Sequence, residues 1–263
     1  REAITHSQLK HPNILPFLGI YDQNPIPVMI VPYMKGGSLQ TLLASEKLLS
    51  ADRIYNILLG VTNGLEYLHS LMVIHGDPNP ANILVDQSGH AYICDFGLSR
   101  IRYDIDATLP MLPAPAGGKL RYMAPELVEN DTPESSTTEK SDIFTLAMTF
   151  FALCSYSHPF TDVNELEAML LLQHGERPAN LKFAVAMPES VKQILWKLIK
   201  EMWAHEPASR PSSGSILDRL TAIFEGKIAT LKQIAPADDV ALAVGKRKPW
   251  SWRSIHYSGR KLV

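Results

Sequence analysis

The spacing of apolar and polar residues predicts short strands near the start of the chain and a series of amphipathic helices after them. Between Ala51 and Leu71, apolar side chains recur at helical spacing, at Ile54, Ile57, Leu58, Val61, Leu65 and Leu68. The same period predicts further helices at about 138–154, 163–174, 188–203 and 212–226. The apolar run from Ile143 to Cys154 is too short to cross a bilayer, so it predicts a buried helix.

Strands are predicted where β-branched and aromatic residues cluster between turn residues. Ile14–Tyr21 and Val28–Tyr33 form the first predicted pair, with Asp22–Pro25 as the turn between them. Shorter strand-like segments follow at Val73–Ile74, Ile83–Val85 and Ala91–Cys94. Ahead of them, Gly36 and Gly37 interrupt the strand pattern, and Ser38 is predicted to cap a short helix that ends at Ala44.

Two segments lack a core pattern. Residues 95–126 are rich in proline and glycine, and they are predicted to form a long loop of the kind that often carries function. Residues 226–263 end in a basic and aromatic stretch, which is interpreted as a loosely ordered tail. Docking of this tail on an anionic surface is the alternative.

Composition narrows the class of protein. The chain has 263 residues, 46% of them hydrophobic, and a net charge of −2, which suits a globular domain without bulk affinity for nucleic acid or membrane. Its two cysteines, Cys94 and Cys154, form no disulfide framework and favour a reducing compartment. A cytoplasmic location is therefore predicted, and a receptor or a targeted form stays open because sequence could precede Arg1.

Short motifs with chemical side chains occur in a fixed order along the chain. They are His75-Gly76-Asp77 with Asn82 five residues after the aspartate, Asp95-Phe96-Gly97, Ala124-Pro125-Glu126, Ser141-Asp142 and Ser209-Arg210-Pro211. In this order the chain resembles the catalytic half of a eukaryotic protein kinase, and the residues around Trp203 and Pro207 resemble the tyrosine-kinase-like group. Each motif alone is a weak signal, but their order and spacing make coincidence improbable.

The resemblance implies an α+β, protein kinase-like fold with a mostly helical C-terminal lobe and a remnant of the N-terminal β lobe. Residues 1–33 would hold the end of the third helix and two strands, 34–225 the C-lobe, and 226–263 the tail. The family's Gly-rich loop and strand lysine have no counterpart, and Glu2 stands at the family spacing before His11. The expectation is a fragment that begins inside the third helix and is inactive as it stands.

The resemblance also assigns roles within a site for ATP and Mg²⁺. Asp77 would accept or orient the proton of the substrate hydroxyl, while Asn82 and Asp95 would bind the metal through hard oxygen atoms. The adenine base would lie against four residues: Val31 guarding the back pocket, Pro32 and Met34 in the hinge, and Leu84 beneath the ring.

Further matches are structural. Glu126 and Arg210 resemble a buried ion pair that anchors the substrate loop, and Asp142 resembles an aspartate that holds the catalytic loop by its backbone. His75 and Phe96 are expected to pack together. His6 and His69 are interpreted as ordinary helix-surface or core histidines.

The sequence departs from the family at three positions. Gly76 replaces the arginine that binds a phosphorylated loop, so control through Tyr103 or Thr108 should be weak. Asn79 stands where serine/threonine kinases carry a lysine, and Lys119 stands where they usually carry a threonine facing that lysine. Lys119 is therefore a candidate catalytic residue that supplies the missing charge, with a solvent-facing lysine as the alternative.

The function most strongly indicated is transfer of the ATP γ-phosphate to protein hydroxyls, with a serine/threonine preference from group resemblance. The partner would be a protein substrate, and the oligomeric state stays unknown. A pseudokinase or interaction scaffold is the alternative, because of Gly76, Asn79 and Lys119. A small-molecule phosphotransferase of the aminoglycoside or choline kinase type is disfavoured by the presence of Ala124-Pro125-Glu126 and Arg210.

Overall fold

The computed structural model describes residues 2–23, 26–45, 48–101, 120–129, 137–179 and 181–234. The chain divides into two units, Arg1–Phe224 and Glu225–Val263. The predicted boundaries at 33/34 and 225/226 remain predictions. Among the described residues, no helix combines the length and apolar character needed to cross a membrane.

The first part of the chain holds one short helix and a β-hairpin. Helix α1 spans Glu2–Gln8, and strands β1 (Gly19–Gln23) and β2 (Ile26–Ile30) pair antiparallel with Gly19 opposite Ile30. The first strand was predicted to begin at Ile14, which was wrong. Ile14 instead bridges to Ile93, and the Leu15 N–H donates to the Ile93 carbonyl, so this segment belongs to the core beneath the hairpin.

Two helices follow the hairpin in the sequence. Helix α2 spans Leu39–Ala44 and is capped by the Ser38 side chain, as predicted. Helix α3 spans Ala51–Ser70 and begins at Ser50, whose side chain accepts from the Arg53 N–H. The apolar positions predicted on α3 are buried, because that face packs against the core.

Four short strands flank the central loops. Strand β3 (Val73–Ile74) pairs with β6 (Arg100–Ile101), and β4 (Ile83–Val85) pairs with β5 (Ala91–Ile93), all antiparallel. A 3₁₀ turn, Pro80–Asn82, lies directly before β4. The predicted loop from 95 to 126 contains β6 and a second 3₁₀ turn, Leu120–Tyr122, and its residues 102–119 lie outside the described ranges.

The remaining part is helical. The helices are α4 (Glu126–Glu129), α5 (Glu139–Ser155), α6 (Glu165–Gln173), α7 (Glu189–Met202) and α8 (Ser213–Ile234), with a 3₁₀ turn at Pro207–Ser209. Almost all of α5 is buried, which confirms the central helix predicted from its apolar run. Helix α8 continues past the predicted end at 226, because Ala, Leu, Lys and Gln in this segment are good helix formers. Residues 235–263 of the predicted tail lie outside the described residues.

Candidate active site

The loop that carries Asp77 is hydrogen-bonded to a residue near the start of α5. The Asp142 carboxylate is 1% exposed and accepts from the backbone N–H groups of His75 and Gly76, at 2.9 and 2.8 Å. Its Oδ2 also lies 2.9 Å from Nε2 of His69. These contacts confirm the prediction that Asp142 holds this loop through its backbone N–H groups.

His69 has a larger structural role than its sequence context suggested. It is a core histidine, as interpreted, but its two ring nitrogens join separate elements: Nε2 faces Asp142 and Nδ1 lies 3.1 Å from the Ser213 hydroxyl. The catalytic loop is therefore tied through Asp142 and His69 to the beginning of α8. Helical periodicity places His69 in the core but cannot identify partners more than seventy residues away.

Asn82 is brought directly against Asp77. Its Nδ2 donates to the Asp77 backbone carbonyl at 2.9 Å and to Oδ2 of the Asp77 carboxylate at 3.1 Å. Because both of these atoms can only accept, the amino end of the Asn82 amide faces Asp77 and its Oδ1 is the opposite end. An amide oxygen is a hard ligand of the kind that Mg²⁺ prefers, so this atom has the chemistry of the predicted metal ligand.

Asp95 follows β5 in a conformation that is unusual for a residue with a side chain. Its φ is +64°, in the left-handed region, which costs about 1–3 kcal/mol and is often found at functional sites. The Gly97 N–H donates to its Oδ1 at 3.2 Å. Burial, together with the neighbouring Asp95 and Glu2 carboxylates, raises the pKa of the Cys94 thiol to about 12, so both acidic groups lie near Cys94.

The two predicted metal ligands are joined through Cys94. The Cys94 N–H donates to the Asn82 carbonyl at 3.0 Å, and Asp95 is the next residue. Within the described ranges, no group of three or more His, Cys, Asp or Glu side chains could hold a metal ion. Mg²⁺ is commonly held by one or two protein oxygens together with phosphates and water, and Asn82 and Asp95 would supply two such oxygens.

The predicted hinge is held against β4. The Gly37 N–H donates to the Met34 carbonyl at 3.0 Å, and the Val85 N–H donates to the Gly37 carbonyl at 2.9 Å. Ser38 bridges to Leu84, so the segment that follows the predicted hinge lies next to the predicted base-packing leucine. Val31 is exposed, while Pro32, Met34 and Leu84 are half-buried, and their nucleotide contacts stay predictions.

A stack of rings connects α1 to the catalytic loop. The His75 and Phe96 rings have centroids 5.4 Å apart at 60°, which confirms their predicted packing with a tilted geometry. His6 extends the stack, with its ring 4.8 Å from Phe96. His6 is 2% exposed, so the interpretation as a core histidine is confirmed, although its place between α1 and Phe96 was missed.

A buried ion pair joins the first residue of α4 to Arg210, which follows the 3₁₀ turn Pro207–Ser209. Arg210 donates to both Glu126 oxygens, at 2.6 and 2.8 Å, and its side chain is fully buried, as predicted. Arg121 was missed by the sequence analysis. It is buried, pairs with Glu165 and donates to the Pro159 carbonyl at 2.7 Å, so it fixes the segment before Ala124-Pro125-Glu126.

The structure describes two of the three positions at which the sequence departs from the family, Gly76 and Asn79, but not Lys119. Gly76 has a φ of +86°, and a Cβ there would lie 3.0 Å from the Leu98 carbonyl oxygen, so glycine relieves strain as well as removing a charge. Asn79 is buried in the catalytic loop. Lys119, Tyr103 and Thr108 lie outside the described residues.

Comparison with known proteins gives one family. Residues 1–220 match the family model described as the protein kinase domain. The chain is 33% identical over 228 residues to the probable serine/threonine-protein kinase drkC of Dictyostelium discoideum, covering 85% of this chain and 29% of that protein. It is 28% identical over 233 residues to the serine/threonine-protein kinase CTR1 of Arabidopsis thaliana, covering 87% of this chain and 27% of that protein.

A third relative covers more of both sequences. It is the receptor-interacting serine/threonine-protein kinase 2 of Bos taurus, 29% identical over 269 residues, covering 99% of this chain and 49% of that protein. The chain thus spans at most about half the length of these three relatives.

Proposed function

Because the chain belongs to the protein kinase family, we propose that it transfers the γ-phosphate of ATP to a hydroxyl group of a protein substrate. The observation that carries the proposal is the pairing of Asp77 with Asn82, beside Asp95. Asn82 donates to the Asp77 carboxylate, and the N–H of Cys94, the residue directly before Asp95, donates to the Asn82 carbonyl. Phosphoryl transfer needs this combination of positioning and charge neutralisation.

Each group has a distinct task in this proposal. Asp77 orients the attacking hydroxyl and accepts its proton. A general base must lie within hydrogen-bonding distance of the oxygen from which it takes the proton. Asn82 and Asp95 would hold Mg²⁺, which neutralises the phosphate charge when it is bound. The backbone carbonyl of Pro32 and the N–H of Met34 would bind the adenine edge, with Val31 and Leu84 forming apolar contacts.

A serine/threonine preference is part of the proposal. The relatives described above are named serine/threonine kinases. Lys119 is proposed to supply the charge that Asn79 lacks near the transferring phosphate. In the full-length protein, Lys119→Ala would then lower kcat far more than it changes KM for the peptide. Small and equal effects on both constants would rule out this role.

The first test is ATP binding by thermal shift in the full-length protein. We expect stabilisation that requires both ATP and magnesium, and that is lost in Asp95→Asn, a variant of equal size without the charge. Transfer of ³²P to a protein or peptide substrate in the same preparation would then establish the reaction. A folded protein that shows no shift would instead favour the scaffold role.

A further inference from the structure

Asn79 is a buried amide whose two ends make different contacts. It is 2% exposed, its Oδ1 accepts from the Ala81 N–H at 2.8 Å, and its Nδ2 donates to Oδ1 of Asp77 at 2.6 Å. Because a backbone N–H can only donate, the Ala81 contact fixes which end of the amide is the oxygen. The amino group must therefore face the Asp77 carboxylate.

The backbone around Asn79 is restrained on both sides. Pro78 and Pro80 fix their own φ angles, and the Pro78 carbonyl accepts from the Thr149 hydroxyl on α5 at 3.1 Å. Asn79 is also the capping residue of the 3₁₀ turn Pro80–Asn82. Its side chain cannot rotate away from Asp77 without leaving the first N–H of that turn uncapped.

Two amides thus hold the two oxygens of one carboxylate. Asn79 donates to Oδ1 of Asp77, and Asn82 donates to Oδ2 at 3.1 Å. Both donors are neutral amides, so neither brings a charge to the carboxylate. A contact on each oxygen sets the rotation of the carboxylate plane, which decides whether the base is aligned with the incoming hydroxyl.

We infer that Asn79 is a positioning residue that orients the Asp77 carboxylate during phosphoryl transfer. The inference rests on the proposed kinase function and adds to it a task for the side chain that stands in place of the family's lysine. A lysine at this position would bring a charge, whereas Asn79 combines a neutral donor with a cap for the following turn.

The test uses two variants of the full-length protein. Asn79→Asp keeps the size and the cap, because Asp caps as well as Asn, but it turns a carboxylate oxygen toward Asp77. We expect kcat to fall about 10- to 100-fold while KM for ATP stays within about twofold. The acid limb of the kcat–pH profile should move to higher pH, because two adjacent carboxylates resist ionising together.

Asn79→Ser is the matched variant. Serine also caps a turn, but its shorter side chain has no amino group to reach Asp77. Its kcat should fall without a shift of the acid limb, and stabilisation by ATP and magnesium should persist in both variants. If Asn79→Asp does not fold, the kcat and KM values of Asn79→Ser decide the question.

The outcomes separate the two proposals. An active wild type with unchanged kcat in the variants refutes the positioning role alone. Loss of ATP stabilisation together with equal changes in kcat and KM means a purely structural role for Asn79, which also refutes the inference. A wild type that binds ATP but transfers no phosphate refutes the proposed function, and the positioning role with it.

Discussion

Neutralising Glu126 tests how much the buried Glu126–Arg210 ion pair contributes to the stability of the domain. In Glu126→Gln the shape is kept, but the fully buried Arg210 side chain loses the charge of its carboxylate partner. Breaking a buried pair costs about 3–5 kcal/mol. Arg210 also donates to the carbonyls of Lys140, Ala204 and His205, at 2.9, 2.8 and 3.0 Å, and these bonds remain.

The lower end of that range is therefore expected, about 3 kcal/mol. For a domain of this size each kcal/mol changes Tm by about 2–4 °C, so Tm should fall by roughly 6–12 °C. Scanning calorimetry of the full-length protein measures this change, and the domain's transition is recognised by its upward shift with ATP and magnesium. The KM for ATP should change little, because Glu126 is not among the residues proposed to bind ATP.

The matched control is Glu201→Gln. Glu201 pairs with Arg219 at 2.5 Å, but their side chains are 38% and 32% exposed. A pair this exposed contributes about 0–1 kcal/mol, so Tm should fall by less than about 4 °C. Equal shifts for Glu126→Gln and Glu201→Gln would show that burial does not set the strength of the Arg210 pair, and the reasoning would fail.

Three other predictions follow from local structure. Burial, and secondarily the charge of His90, lower the pKa of His11 below 6.5, so the native state binds fewer protons than the unfolded state. The free energy of unfolding, measured with urea, should therefore decrease as the pH falls from about 6.5. The decrease should be smaller in His11→Gln. A Cβ at Gly36 would lie 2.1 Å from the Val85 carbonyl oxygen, so Gly36→Ala should cost about 1–3 kcal/mol and weaken ATP binding, measured by calorimetry. Because Gly76 offers no charge to a loop phosphate, Thr108→Glu should leave kcat within about twofold, and strong activation in a kinase assay would contradict this.

The long helices and the order of the chemical groups could be predicted from the sequence, whereas the short helix α4 was missed and α8 continues past its predicted end. The spacing of apolar residues alone predicts α3 and α5. A helix that buries one face needs apolar residues along that face, and a helix that is buried all round needs them on every side. Fixed local spacing also joins Asp77 to Asn82 within one loop. The Glu126–Arg210 pair could be predicted only by resemblance, since no local pattern links residues so far apart.

Contacts between residues that are far apart in the sequence are known only from the tertiary structure. Ile14 lies in a strand-like run, yet it is buried and bridges to Ile93 rather than joining the hairpin. Asp142 reaches the backbone of His75, and His6 packs on Phe96, across separations that periodicity does not encode. The orientation of a buried amide such as Asn79 depends on which donors and acceptors surround it, and only the folded chain provides those neighbours.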